Sequence, residues 1–115
     1  MKINIKRVYD EPEKTDGYRI LVDRLWPRGL TKAKAHVDLW LKDVAPSTEL
    51  RKWFAHDPDK FAEFRKRYVH ELGHAPEAVA TLRDKAKHGT VTLLYGARDQ
   101  EHNEAVVLQH WLLSR

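Results

Sequence analysis

Short hydrophobic stretches near the two ends of the chain have the patterns of β-strands. Ile3, Ile5 and Val8 alternate with polar and basic residues, as in a strand with one buried face. Residues 20–22 (ILV) form a continuous apolar run, and residues 90–96 (TVTLLYG) form a second one that ends in glycine. Because short continuous runs are typical of strands covered on both faces, the pattern predicts three strands in all.

Helical spacing and helix-terminating residues dominate the rest of the chain. Ser47 and Asp57 are expected to cap two helices, because each precedes apolar residues at intervals of three and four. Gly73 and Pro76 predict the end of the second of these helices and the start of a third. Asp99 is expected to cap a last helix that runs toward the carboxyl terminus.

The order of these elements indicates the fold class. Residues 36–44 (HVDLWLKDV) are predicted to form either a short helix or an irregular segment. The chain then reads as two strands, three or four helices, a strand and a helix. This order predicts an α/β fold, with a small, mainly parallel sheet flanked by helices. A length of 115 residues leaves room for one core, so residues 1–115 are expected to form a single domain.

The composition excludes several classes of protein. There is no cysteine, which excludes disulfides, thiolate metal ligands and a cysteine nucleophile. The first residues (MKINIKRVYDEPEK) lack the apolar core of a signal peptide, and no apolar run approaches 18 residues. The sequence therefore predicts a cytoplasmic, bacterial or archaeal protein, a monomer or homodimer, with no membrane partner and no cofactor.

Positive charge is in modest excess and only partly clustered. Lysine and arginine outnumber aspartate and glutamate by 21 to 17, which gives a net charge of +4. Two basic stretches stand out, consisting of Arg24, Arg28, Lys32 and Lys34, and of Lys60, Arg65, Lys66 and Arg67. Each stretch is interpreted either as solvated surface or as a contact for nucleic acid.

Residues 70–74 (HELGH) match the H-E-x-x-H motif of zinc proteases. That mechanism requires both histidines on one continuous helix, and a third ligand. Gly73 and Pro76 predict that the helix ends before His74, and the metzincin continuation is missing, with Glu77 and Ala80 in its place. The motif is therefore interpreted as a helix end, and no metal ligand is predicted; the alternative is a zinc site completed by His36, His88 or His102.

The candidate site lies where two predicted strands end, in VDRLWPRGL and LLYGARDQEHN. Ligands of open α/β sheets bind outside the carboxyl ends of the strands, and these two ends meet if the strands are parallel neighbours. Arginine suits phosphate or carboxylate, and a helix start near Asp99 favours an anion. The predicted catalytic residues are Asp23, His56 and Asp99. The predicted ligand-binding residues are Arg24, Trp26, Arg28, Lys42, Ser47, Tyr95, Arg98 and Asn103.

Three functions follow from this set of residues. The first is a small enzyme or binding protein for an anionic, phosphate-bearing small molecule or nucleotide. The second is a nucleic-acid-binding accessory protein that uses the two basic stretches. The third is a structural or interaction module, in which Asp–Arg pairs only hold two loops in place.

Three long segments of the sequence resemble one family. They are DGYRILVDRLWPRGL, WLKDVAPSTELRKWFAHDPDKFAEFRKRYVHEL and VTLLYGARDQEHNEAVVL, which together cover nearly the whole chain. The family is domain of unknown function 488, in its YeaO-like branch. The resemblance implies an α/β fold with the two loops above as shared features, and it brings no established activity.

The resemblance also implies which residues belong to the family pattern. They are Asp23, Arg24, Trp26, Pro27, Arg28, Gly29, Lys42, Pro46, Ser47, Arg51, His56, Phe64, Tyr68, Glu71, Leu72, Tyr95, Asp99, Asn103 and Ala105. The pattern includes Glu71 of the HELGH segment but neither of its histidines. Other branches of the family have cysteines in the loop that matches YGARDQEHN, whereas this chain has none. Thiol chemistry is therefore not expected here.

Overall fold

Four parallel strands and five helices make up the fold, which a computed structural model describes for residues 1–114. The elements are β1 (Ile3–Arg7), β2 (Tyr18–Leu21), α1 (Lys32–Ala35), β3 (Leu39–Trp40), α2 (Thr48–Phe54), α3 (Phe61–Leu72), α4 (Pro76–Lys87), β4 (Val91–Tyr95) and α5 (Glu104–Leu113). Three single 3-10 turns lie between them, at Lys14–Asp16, Lys42–Val44 and Pro58–Lys60. None of the helices in this part of the chain has the length and apolar character needed to cross a membrane.

The sheet has the strand order β1-β4-β2-β3, and every neighbouring pair is parallel. Leu21 of β2 lies opposite Leu94 of β4, so the carboxyl ends of these strands meet at one edge. The predicted α/β fold is confirmed. The interpretation of residues 36–44 was wrong at Leu39–Trp40, which form β3. A segment of two residues is too short to show a hydrophobic period, and only its pairing with β2 makes it a strand.

Alternate residues of the inner strands face two separate cores. Ile20 and Leu93 belong to the larger core, which α2, α3, α4 and α5 cover. Leu21 and Leu94 belong to a smaller core with Ala35, against which Trp26, Leu30, Val37 and Trp40 pack. Because both faces of the sheet are covered, β2 and β4 are apolar along most of their length.

The helix ends follow the predicted signals with one shift. Ser47 caps α2, since its Oγ accepts a hydrogen bond from the nitrogen of Leu50 at 3.1 Å. Gly73 follows the last residue of α3, as predicted. Asp57 caps the 3-10 turn that leads into α3, with Oδ1 accepting from the nitrogen of Asp59 at 3.0 Å. The start of α3 itself therefore lies one turn later than the sequence indicates.

A buried ion cluster fixes the amino end of β2. The guanidinium of Arg19 donates to the carboxylate of Asp16 and to the carbonyl of Ala35, and both charged side chains are buried. Lys6 adds a second cation, with Nζ 3.1 Å from Asp16 Oδ1. Burial alone would raise the pKa of Asp16, but hydrogen bonds from the backbone, Lys6 and Arg19 outweigh it and lower that pKa. The cluster is electrostatically satisfied without any ligand.

Gly17, just before β2, packs closely against the backbone of Thr90. Its φ is +66°, and an added Cβ would collide with the carbonyl oxygen of Thr90, which accepts from the nitrogen of Tyr18 at 2.9 Å. Gly29 has a φ of +82°, but no atom lies within 4 Å of a Cβ there. We expect Gly17→Ala to lower the free energy of unfolding by roughly 3 kcal/mol or more, and Gly29→Ala by about 1 kcal/mol.

Urea denaturation of the two variants measures this difference. Both substitutions add the same methyl group at a positive φ, but only the one at residue 17 meets the carbonyl of Thr90. Equal losses of stability would show that residues 17 and 90 are not packed as described.

Candidate functional site

A cleft of about 610 Å³ opens at the edge where β2 and β4 end. It is lined by residues of the two loops that follow these strands, and by α2, α3 and the start of α5. These residues are Tyr9, Asp23, Arg24, Leu25, Trp26, Pro27, Arg28, Pro46, Arg51, Phe54, His56, Phe64, Gly96, Ala97, Arg98, Asp99, Asn103 and Glu104. Eight of the eleven predicted site residues are among them, so the two strand ends form one site region, as expected for parallel neighbours.

Asp23 connects the two loops of the cleft. Its Oδ2 accepts a hydrogen bond from the nitrogen of Gly96 at 2.8 Å, and the indole of Trp40 donates to its backbone carbonyl at 2.8 Å. The other carboxyl oxygen, Oδ1, is buried, and no N–H group of residues 1–114 donates to it. A buried carboxyl oxygen needs a donor, because water cannot solvate it.

Glu104 is the neighbour that can provide this donor. Glu104 lines the same cleft and lies close enough to Asp23 for the two carboxyl groups to interact, and one proton shared between them would give Asp23 Oδ1 the donor it lacks. Burial and the adjacent charge of Asp23 raise the pKa of Glu104 well above its usual value. The position of Glu104 at the start of α5 favours its charged form, but burial and Asp23 dominate.

Glu104 was missed by the sequence analysis. It is the first residue of α5 and follows the cap residue Asn103, a position where glutamate is common in any helix. Nothing in the local sequence places it beside Asp23, which lies 81 positions earlier. Only the pairing of β2 with β4 brings the two residues together.

Four arginines line the cleft, and none has a carboxylate partner among residues 1–114. Arg24 donates from Nε to the carbonyl of Pro46 at 2.9 Å and from Nη2 to that of Ala45 at 3.2 Å. Arg28, Arg51 and Arg98 are exposed and form no side-chain hydrogen bond within this part of the chain. The predicted cations Arg24, Arg28 and Arg98 therefore lie together, and Arg51 joins them from α2.

Asp99 does not cap the last helix, so this prediction was wrong. Asn103 is the cap of α5, with Oδ1 accepting from the nitrogen of Val106 at 3.0 Å. Asp99 stabilises the preceding turn, where its Oδ1 accepts from the nitrogens of Glu101 and His102 at 2.9 and 3.0 Å. The hydrogen bond from Glu101, and those from His102, lower the pKa of Asp99. Both residues are capable of capping, and the sequence does not distinguish them.

Two further residues of the cleft wall are His56 and Trp26. His56 is exposed and follows Ala55, and both have a positive φ, 58° and 47°. Two such residues in succession are uncommon and turn the chain sharply after α2. Trp26 donates from Nε1 to the carbonyl of Leu30 at 2.7 Å, and its ring contacts Trp40 edge-on at 5.3 Å. Trp26 thus belongs to the smaller core and also to the cleft wall.

Three of the predicted ligand-binding residues lie outside the cleft. Lys42 places its Nζ 4.0 Å from the ring centroid of Trp40. Ser47 caps α2 and donates to Glu71, which directs its hydroxyl away from the cleft. Tyr95 is buried in the larger core, where burial raises the pKa of its hydroxyl. Their sequence positions near strand and helix ends did not reveal which way the side chains point.

The HELGH segment serves a structural purpose. α3 ends at Leu72, so His74 lies beyond the helix, as predicted. The Glu71 carboxylate accepts from the nitrogen and the Oγ of Ser47, at 2.8 and 2.6 Å. Within residues 1–114 there is no group of three or more side chains with metal-binding potential. Glu71 thus holds the start of α2 in place, next to the carbonyls that bind Arg24.

Comparisons with known proteins identify the family of the chain. The family model described as the inactive DUF488-N3 subclade matches residues 2–115. The chain is 49% identical to the uncharacterized protein YeaO of Escherichia coli (strain K12) over 114 residues, which is 99% of both chains. It is 42% identical to the uncharacterized protein Rv3073c of Mycobacterium tuberculosis (strain ATCC 25618 / H37Rv), over 99% of this chain and 96% of that one. No solved structure gives a significant match.

Substitutions in the HELGH segment test the structural interpretation. We expect Glu71→Ala to lower the free energy of unfolding by about 2–3 kcal/mol, because it leaves two donors of Ser47 without an acceptor. His70→Ala and His74→Ala, which are exposed, should change it by less than about 0.5 kcal/mol. Urea denaturation checks all three, and the Ser47→Ala, Glu71→Ala double variant should lose less than the sum of the single variants. A larger loss for either histidine variant would contradict this role of Glu71.

A second prediction concerns the proton on Glu104. The raised pKa means that the folded protein retains a proton that the unfolded chain releases above pH 4.5, the usual pKa of the group. The stability that this proton contributes is complete below the usual pKa and is lost as the pH rises through the folded pKa. Relative to Glu104→Gln, the wild type should therefore lose up to about 1.4 kcal/mol per pH unit within this window.

Denaturation curves at several pH values between 4 and 8 measure this loss. Asp23→Asn, which removes the neighbouring negative charge, should reduce the pH dependence that Glu104 contributes. The other charged or titratable groups close to the pair, Arg24, Tyr68 and Tyr95, are unchanged in both variants. A stability difference between wild type and Glu104→Gln that is constant with pH would show that Glu104 is ionised.

Proposed function

The chain belongs to the DUF488 family, in the subclade described as inactive DUF488-N3, and we propose that it is a binding protein for an anionic small molecule. Its ligand occupies the cleft at the ends of β2 and β4. The word "inactive" in the family description favours binding over turnover. The same cleft would serve an enzyme, but both carboxyl oxygens of Asp99 are already engaged by Glu101 and His102.

The observation that carries the proposal is the charge of the cleft wall. Arg24, Arg28, Arg51 and Arg98 line it without an ion-pair partner in residues 1–114. The four arginines outnumber the three acids in the wall, and the raised pKa of Glu104 adds to this excess of positive charge. Forked guanidinium donors bind phosphate and carboxylate strongly, and a ligand anion is the partner that this arrangement lacks.

The apolar part of the wall supports an organic ligand rather than an inorganic ion. Tyr9 and Leu25 are among the most exposed large hydrophobic side chains of the described residues, at 42% and 58%, and both border the cleft. Phe54 and Phe64, stacked with ring centroids 4.3 Å apart, lie deeper in the same wall. Clefts that combine apolar surface with a few polar groups are typical small-molecule sites.

Nucleic acid binding has weaker support from the contacts. In the second basic stretch, Arg67 lies 4.1 Å and Lys60 5.2 Å from the ring of Trp53, and Arg65 lies 5.5 Å from that of Phe61. Cations that stack on aromatic rings are less available to a phosphate backbone.

A purely structural role for the loops would pair the arginines with carboxylates, as the buried cluster around Arg19 does.

Arg28 and Lys34 provide a matched pair of variants. Both residues are exposed cations of the first basic stretch, but only Arg28 lines the cleft. Among phosphorylated metabolites and nucleotides tested against the wild type, we expect at least one to raise the melting temperature. Arg28→Ala should weaken that ligand about tenfold, the value of one charge-assisted hydrogen bond, and Lys34→Ala should not.

Thermal shift, followed by calorimetry on each hit, measures the effect. No stabilisation of the wild type by any member of the panel would refute the proposal. Equal weakening by both substitutions, together with a shift of labelled DNA or RNA that falls steeply with salt, would favour the nucleic acid alternative instead.

A further inference from the structure

The Asp23–Glu104 pair can accept further hydrogen bonds but cannot donate them. A proton held between the two carboxyl groups would be used in a hydrogen bond to the buried Oδ1 of Asp23. Asp23 Oδ2 accepts from Gly96 at 2.8 Å, and Glu104 Oε2 accepts from the nitrogen of Ala105 at 3.1 Å. The lone pairs that remain are acceptors, and the pair has no second proton to donate. A ligand group that binds here must therefore be a hydrogen-bond donor.

Glu104 is the member of the pair that a ligand can reach. Its side chain is partly exposed and lines the cleft, whereas Asp23 Oδ1 is buried beneath the surface. Tyr68, which is close enough to both acids to interact electrostatically with them, donates its own hydroxyl to the carbonyl of Val44 at 2.6 Å. Tyr68 therefore does not donate a hydrogen bond to Glu104.

The charges around the pair restrict the kind of donor. Arg24, from the loop after β2, and Arg98, from the loop after β4, line the same cleft as the pair. An ammonium group would be attracted by the single negative charge of the pair but repelled by the arginines that line the same cleft. A neutral donor avoids this repulsion, and hydroxyl groups of sugars are neutral donors that carboxyl groups bind in many nucleotide sites.

From this juxtaposition we propose that the Asp23–Glu104 pair binds hydroxyl groups of the ligand, which makes the ligand a phosphorylated sugar or polyol. The inference rests on the proposed function, since the arginines of the cleft are its anion-binding groups. A sugar phosphate carries both features close together, with the phosphate for the arginines and the hydroxyls for the acid pair. A volume of about 610 Å³ is sufficient for such a molecule.

Calorimetry with ribose 5-phosphate, phenyl phosphate and inorganic phosphate tests the assignment. Glu104→Leu removes the hydroxyl acceptor, so it should weaken ribose 5-phosphate at least tenfold and phenyl phosphate less than about twofold. Glu104→Gln retains an acceptor and can donate to Asp23, so it should bind ribose 5-phosphate within about threefold of the wild type. The unfolding curve of each variant establishes that it is folded.

A further measurement needs no variant. The wild type should bind ribose 5-phosphate about tenfold more tightly than 2,3-dideoxyribose 5-phosphate, which keeps the phosphate and loses two hydroxyls. Equal affinity for these two ligands, or equal weakening of ribose 5-phosphate and phenyl phosphate in Glu104→Leu, would overturn the inference and leave the proposed function intact. Failure of the wild type to bind any phosphate compound would overturn both.

Discussion

The hydrogen bond from the Gly96 nitrogen to the Asp23 carboxylate determines the geometry of the cleft. It joins the ends of two parallel neighbours, β2 and β4, at 2.8 Å. Glycine suits position 96, because the Cβ of any other residue would crowd Asp23 Oδ2 at 3.0 Å. With Asp23 held in this position, its second oxygen is buried and requires a proton from Glu104. The arginines of both loops are then placed around one cleft.

α3 supports this arrangement from a distance. Its Tyr68 donates to the carbonyl of Val44, and its Glu71 accepts two hydrogen bonds from Ser47. Val44 and Ser47 are the two ends of segment 44–47, which provides the two carbonyls that accept hydrogen bonds from Arg24. A single helix thus fixes the loop that orients the guanidinium. This explains why the glutamate of HELGH belongs to the framework of the site although it does not line the cleft.

The sequence predicts the parts of the fold that repeat a pattern over several residues. The three longer strands, the cap at Ser47 and the helix end at Gly73 follow from apolar spacing and from local hydrogen bonding, and eight predicted site residues line the cleft. β3 could not be predicted, because two residues such as Leu39 and Trp40 have no period. Glu104 could not be predicted either, since its protonation depends on Asp23, which only the sheet brings near. Whether a side chain such as Tyr95 points into the core or the cleft is likewise decided by packing.

The two ends of β2 differ in a way that bears on function. At the amino end, Arg19 and Lys6 are both paired with Asp16, and Lys6 is also paired with Glu13, so two cations are balanced by two acids. At the carboxyl end, Arg24 has only backbone carbonyls as acceptors, and the pKa of the nearby acid Glu104 is raised. Arg24 is half-buried and relies on those carbonyls, whereas Arg28, Arg51 and Arg98 are exposed and water can solvate them. The contrast with the paired cations of the amino end is the reason we propose that the arginines of the cleft receive their partner from an anionic ligand.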